Sequence, residues 1–129
     1  LIHKAQRVGV FPELISAARR INDSMPEYVI GELLRSMAER GMAVRSARIV
    51  VLGLSFKENC ADLRNTRVAE IVAGLQALGA EVAVHDPRVD AAEAEREYGI
   101  RVQDWATLAP ADVLLAAVAH DEYRKLSVA

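Results

Sequence analysis

Between an apolar run ending at Leu54 and a helical pattern beginning near Val68 lies GLSFKENCADLRNTR, residues 53–67, which carries Lys57, Glu58, Cys60, Asp62, Arg64 and Arg67. A strand-to-helix connection about eleven residues long exceeds the usual two to six, and long connections tend to be functional. Its cations are the members best suited to chemistry. Lys57, three residues past the apolar run, can reach back over a sheet edge as a point charge for phosphate. Arg64 lies nearer the helix start, where unpaired N–H groups and the helix dipole favour an anion, and its planar fork suits phosphate or carboxylate. Each has a plainer alternative: a solvated loop lysine for Lys57, and a salt bridge to Asp62 or Glu58 for Arg64. Phe56 divides evenly between packing beneath the loop and lining a ligand site. Asn65 or Thr66 reads as a helix N-cap rather than a ligand.

Cys60 is the only cysteine, so an internal disulfide is excluded. Covalent chemistry by its thiol would require an activating base, and no histidine is near it in sequence. It reads as packed or idle, and no catalytic residue is assigned within the chain. The three histidines, His3, His85 and His120, are scattered without metal-ligand spacing, so no metal is expected. His85 and His120 read as structural, and Trp105 as core. A net charge of −2 over 129 residues argues against nucleic acid as the main partner. No apolar run approaches the roughly 18 residues that span a bilayer, and no signal peptide is evident, which points to a cytoplasmic protein.

The elements that must hold this loop follow from hydrophobic period. From Pro12 to Arg40, apolar residues recur every three or four positions, which predicts one long helix kinked at Pro26 and ended by Gly41. Its stripe, including Leu14, Ile21, Met25, Tyr28, Leu33 and Met37, packs either wholly on the chain's own sheet or partly on a second copy. Arg19 and Arg20 read as a solvated or subunit-facing edge. RIVVLGL, 48–54, is apolar without alternation, the mark of a strand covered on both faces. A helix ending at Gly79, a strand at Glu81–His85, a helix over 89–98, a short strand at 100–103, a helical turn near Trp105 and a strand at 113–118 follow. DEYRKL begins another helix. The alternation predicts an α/β fold: a Rossmann-like parallel sheet with helices on both faces, preceded by a long helix. Residues 1–46 form the end of a central helical segment and 47–129 a Rossmann-like domain whose final helix should feed a further strand. The opening without an initiator Met makes the chain read as a piece of something longer.

In such sheets ligands bind beyond the carboxyl ends of the strands, where the 53–67 loop must lie. The dinucleotide fingerprint G-x-G-x-x-G is absent, since only Gly53 is present at the strand's end. Any nucleotide here is held by side chains. Asp86 stands where a ribose-binding acid would, although Pro87 behind it makes a turn-forming role equally good. A free-standing ligand-binding or signalling α/β module is the alternative reading. Its receiver-domain form needs an acidic cluster at the strand ends, and this strand ends in Gly-Leu-Ser-Phe-Lys.

The loop G-L-S-F-K-E-N-C-A-D-L-R-N-T, with V-H-D-P one helix later, resembles the C-terminal domain of the UDP-glucose/GDP-mannose dehydrogenase family. E-N-C and R-N-T are similar to the branch that oxidises UDP-N-acetylhexosamines to uronates for bacterial surface polysaccharides. A-R-R-I-N-D-S-M-P, 18–26, resembles the helix preceding that domain, and D-E-Y, 121–123, a stretch near its end. The resemblance covers essentially the whole chain. It implies an NAD-dependent enzyme, homodimeric through its central helices, that oxidises a UDP-sugar at C6 in two steps through a cysteine-bound intermediate. It places Phe56 and Lys57 in the nucleotide-sugar site and Arg64 against NAD. It also places the nucleophilic cysteine, in a Gly-Gly-x-Cys segment shortly before His-Lys-Ala at 3–5, outside this chain. The fragment alone is therefore expected to be inactive.

Overall fold

Ile49, Val50, Val51 and Leu52 are all buried, and with Arg48 they form β1, Arg48–Leu52, the central strand of a parallel sheet. The computed structural model describes residues 13–126; His-Lys-Ala at 3–5 lies outside them. β2, Glu81–His85, pairs on one side of β1 and β3, Val113–Ala116, on the other, so Val50 stands between Ala83 and Leu114 in the order β2-β1-β3. The chain leaves β1 for β2 and later returns to the opposite side of β1 as β3. The gap between β1 and β3 is thus a topological switch point.

Register sorts the side chains, because paired residues of parallel strands point to the same face. Ile49, Val51, Val82, Val84, Val113 and Leu115 belong to one apolar cluster. Helix α2, Val68–Ala77, buries Val68, Ile71, Val72 and Leu75 in that cluster. The other face is lined by Val50 and Leu114 with Trp105, Leu108 and Pro110, and there Leu114 stays 59% exposed.

Helix α1, Glu13–Glu39, is continuous through the buried Pro26, which agrees with the single long helix expected. Ser24 Oγ donates to Ile21 O at 2.8 Å, an interior bond and not a new cap. The C-terminal half of α1 packs on the core through Val29, Ile30, Leu33 and Met37. Where α1 meets α2, a Cβ on Gly74 would lie 2.5 Å from Ile30 Cδ1, the flexible end of that side chain, which would have to shift. The N-terminal half instead leaves Leu14, Ile21 and Tyr28 exposed. Among the described residues no helix is long and apolar enough to cross a membrane.

Helix α3, Ala91–Tyr98, is capped by Asp90, whose carboxylate accepts the Glu93 N–H at 2.8 Å, and closes at Gly99 with φ 65°. The strand expected over 100–103 is reduced to one bridge, Val102 to Val84. It lies on the outer edge of β2, and Gln103 donates to Val84 O just before the chain turns into the 3₁₀ segment Trp105–Thr107. Trp105, expected in the core, is 48% exposed and meets His85 edge-on with ring centroids 5.3 Å apart. That loop covers a sheet face without burying its own outer side. The last described helix, α4, is Asp121–Arg124.

Candidate functional site

The loop leaves β1 through Gly53, whose φ of 91° and contact with Val118 exclude any side chain. It is then closed on itself. Phe56 N–H donates to Asp62 O at 2.8 Å. Thr66, buried, donates from Oγ1 to Leu54 O at 2.6 Å and accepts the Val68 N–H at 3.2 Å. One hydroxyl thereby joins the strand's end to the helix's beginning, while the N-cap position expected at Asn65 or Thr66 falls on Arg67, which makes no side-chain cap bond. Asn59 and Asn65 take left-handed conformations, φ 56° and 63°, which asparagine tolerates better than most residues.

Beneath the loop, at the carboxyl ends of β1 and β3, a crevice of about 200 Å³ opens at the switch point. Asn22, Met25, Phe56, Thr66, Arg67 and Val118 are among its walls. Phe56 thus serves as lining, with half its surface still exposed. Neither Lys57 nor Arg64 is part of that lining. Lys57 follows the lining residue Phe56 in sequence and is exposed, and its ammonium has no hydrogen-bond or ion-pair partner among the described residues.

Arg64 is held by Asp62: Nε to Oδ1 at 3.0 Å and Nη2 to Oδ2 at 2.8 Å, with the Arg64 N–H also on Oδ1 at 2.8 Å. The guanidinium's hydrogen bond holds the Asp62 carboxyl at about 2, well below the usual range, with the Arg64 N–H and the charges of Arg64 and Lys57 adding to it. The intraloop salt bridge is therefore formed, yet the Arg64 side chain is 84% exposed and its Nη1 makes no hydrogen bond among the described residues. Arg67 pairs with Glu70 at 2.8 Å and with Asp23 of α1, which ties the long helix to the wall of the crevice. Cys60 is half-buried, and its Sγ accepts the Asp62 N–H at 3.4 Å.

Sequence reasoning missed the buried polar hub behind the loop. Asp86, ambiguous between ribose ligand and turn former, is fully used inside the fold. Its Oδ2 accepts the N–H groups of Leu54 (2.7 Å) and Ser55 (3.0 Å) and the His120 ring at 3.1 Å, while Oδ1 accepts the Arg88 N–H at 2.8 Å. Burial pushes its carboxyl upward, but the Leu54, Arg88 and Ser55 N–H groups outweigh that and hold it below its ordinary value. His120 is wholly buried, and Nδ1 accepts the Asn59 N–H at 2.9 Å. The ring is therefore neutral with its proton on Nε2, which faces both Asp86 and, at 3.2 Å, Ser55 Oγ. Ser55 Oγ–H donates to Lys57 O at 3.0 Å. The trio is not a nucleophilic triad, since serine and aspartate share one ring nitrogen and the hydroxyl proton is committed to a carbonyl. Tyr123 OH donates to His85 O and accepts from His85 Nδ1, a pairing that burial favours by pushing the phenol up and the imidazole down. No local signal reveals the hub, because its members meet only through the ends of all three strands.

A parallel sheet whose switch-point crevice is lined by side chains has the form of a ligand-binding α/β domain of the kind that lacks a glycine-rich turn. The chain belongs to the UDP-glucose/GDP-mannose dehydrogenase family, whose UDP binding domain matches residues 50–129. It is 44% identical over 126 residues to UDP-N-acetyl-D-glucosamine 6-dehydrogenase of Pseudomonas aeruginosa, covering 98% of this chain and 30% of that protein. It is 45% identical over 123 residues to Protein CapL of Staphylococcus aureus, covering 95% and 29%. A solved UDP-glucose dehydrogenase from the archaeon Pyrobaculum islandicum superposes with a TM-score of 0.82 at 28% identity, over 99% of this chain and 29% of that one. The chain spans about 30% of the length of the curated relatives it matches.

Proposed function

We propose that this chain forms the nucleotide-sugar-binding part of an NAD-dependent UDP-sugar 6-dehydrogenase. The reaction is the two-step oxidation of a C6 alcohol to a uronate, with a UDP-N-acetylhexosamine as substrate, in the cytoplasmic synthesis of surface polysaccharide. The observation that carries this reading is the exposed Lys57, unpartnered among the described residues and next in sequence to Phe56, which lines the switch-point crevice. Lys57 meets the diphosphate as a point charge, and Phe56 lines the site beside it. Identity of 44% to UDP-N-acetyl-D-glucosamine 6-dehydrogenase, against 28% to the solved UDP-glucose dehydrogenase, supports the N-acetylated sugar.

NAD⁺, when bound, takes up the hydride. The described residues offer it no glycine-rich cradle, so this chain contributes Arg64, whose exposed Nη1 is free to meet a phosphate across a domain boundary. The catalytic set lies in polypeptide outside these residues, and the 129-residue chain by itself is expected to show no dehydrogenase activity. Residues 1–46 then complete a central helical segment, and 47–129 form the UDP-binding domain. The exposed seam on α1, with Leu14 83% and Ile21 64% exposed, serves to pair two copies.

Calorimetric titration of UDP into the full-length protein and its Lys57→Ala variant tests the reading. A charge-assisted hydrogen bond contributes roughly 1.5–3 kcal/mol, so the variant should bind about ten- to a hundredfold more weakly. Equal affinities would remove Lys57 from the site.

A further inference from the structure

We propose that His120 is a positioning residue for ligand binding, acting through Lys57; this rests on the reading of Lys57 as the diphosphate contact. The imidazole closes a ring of hydrogen bonds around the Lys57 backbone. On one side Nε2–H faces Ser55 Oγ, whose own proton goes to Lys57 O. On the other, Nδ1 accepts from Asn59, two residues past the lysine. Asp86 fixes the ring by accepting from Nε2, so both nitrogens of a fully buried side chain are committed to one short stretch of loop.

Hydrogen bonds and an ion pair, not packing, hold that stretch. Phe56, Lys57, Glu58 and Asn59 are all exposed, so packing does not determine where their backbone lies. Asn59 completes the clasp: its Oδ1 accepts the Asp121 N–H at 3.0 Å, while Glu58 pairs with Arg124 at 3.0 Å, both from α4. A lysine on a loose loop loses conformational freedom each time it binds, whereas one whose backbone is fixed in advance loses less. The ring therefore affects affinity without touching the ligand.

The test is a double-mutant cycle with UDP titrated calorimetrically into the full-length protein. His120→Gln keeps an N–H donor toward Asp86 and Ser55 but moves the acceptor, now Oε1, away from the Nδ1 position that takes the Asn59 N–H. It is expected to weaken UDP binding on the order of tenfold, with the far-UV circular dichroism of the parent. In a Lys57→Ala background the same change should cost nothing further, because the group being positioned is gone. Asn59→Gly is a second variant at an exposed residue; it keeps the left-handed conformation, removes the tether to α4 and should weaken binding in the same direction. Unchanged affinity in a folded His120→Gln protein, or an equal loss with and without Lys57, overturns the proposal. Should His120→Gln fail to fold, full affinity in Asn59→Gly overturns it instead. If Lys57→Ala alone leaves affinity intact, the underlying reading fails and this one with it. A silent His120→Gln beside a damaging Lys57→Ala removes only the positioning role.

Discussion

Gly53 Cα lies so close to Val118 that a Cβ on it would stand 2.5 Å from Val118 Cβ and 2.8 Å from Val118 O. The contact joins the end of β1 to the segment leaving β3, and those two segments meet at the crevice. Gly53 also holds φ at 91°, where an L side chain is strained whatever the space. Gly53→Ala therefore combines a steric clash against backbone with a conformational penalty. We expect a loss of more than about 2 kcal/mol in urea denaturation, and weaker UDP binding in whatever folds. Parent-like stability would show that the strand ends can separate freely, which would also undo the account of the crevice as a fixed feature.

Asp86 gives the fold a specific acid sensitivity. Its folded-state carboxyl lies below the ordinary value of 3.8 because the Leu54, Arg88 and Ser55 N–H groups outweigh the opposing effect of burial. A depressed carboxylate contributes stability above its unfolded value and loses it as pH falls through the folded one. Stability should thus decline below about pH 4 with a slope partly owed to this residue. Asp86→Asn should be less stable at pH 7 and decline less steeply between pH 5 and 2, as read from urea midpoints. An unchanged acid slope would assign the acid limb to other carboxylates.

The Asp62–Arg64 pair is open to direct titration. Arg64→Ala removes the guanidinium bond that leads the lowering of the Asp62 carboxyl, which should climb from about 2 toward 3.8 while staying below it, since the residue-64 N–H and Lys57 remain. Carboxyl-carbon NMR would follow it. A value that stays at about 2 would mean the backbone turn alone sets it, and Arg64 would then be free of any obligation to Asp62.

What the sequence made legible is what local pattern encodes. The unusual length of 53–67, its cations, the long α1 and the parallel order of strands all follow from period and punctuation, and each stands in the structure. The fate of Arg64 was open because its two readings differ by a rotamer, and the structure shows the salt bridge with one guanidinium nitrogen left over. His120 and Ser55 were illegible as a pair: 65 residues separate them, and they meet only when β1 and β3 are already side by side. Trp105 was misread for a related reason. Aromatic composition marks it as core, but its loop lies across a sheet face with one side open.

The seam on α1 carries the last expectation. Leu14, Ala18, Ile21, Met25 and Tyr28 follow one another at intervals of four and three, the spacing at which two helices interlock side chains. Those residues lie on the solvent side of the N-terminal half, while Pro26, Val29, Ile30, Leu33 and Met37 turn inward. One helix thus carries two apolar stripes, and only one is covered by the other described residues. Met25 belongs to the exposed stripe and also lines the crevice, so a second helix lying on the seam would border that crevice. Sedimentation of the 129-residue chain should show a dimer at high concentration, and Ile21→Glu should give a monomer of unchanged helix content. Placing a charge at the centre of such a seam leaves the fold alone, because Ile21 makes no part of the chain's own core. A parent that sediments as a monomer at every concentration would assign the stripe to a different surface of the full-length protein.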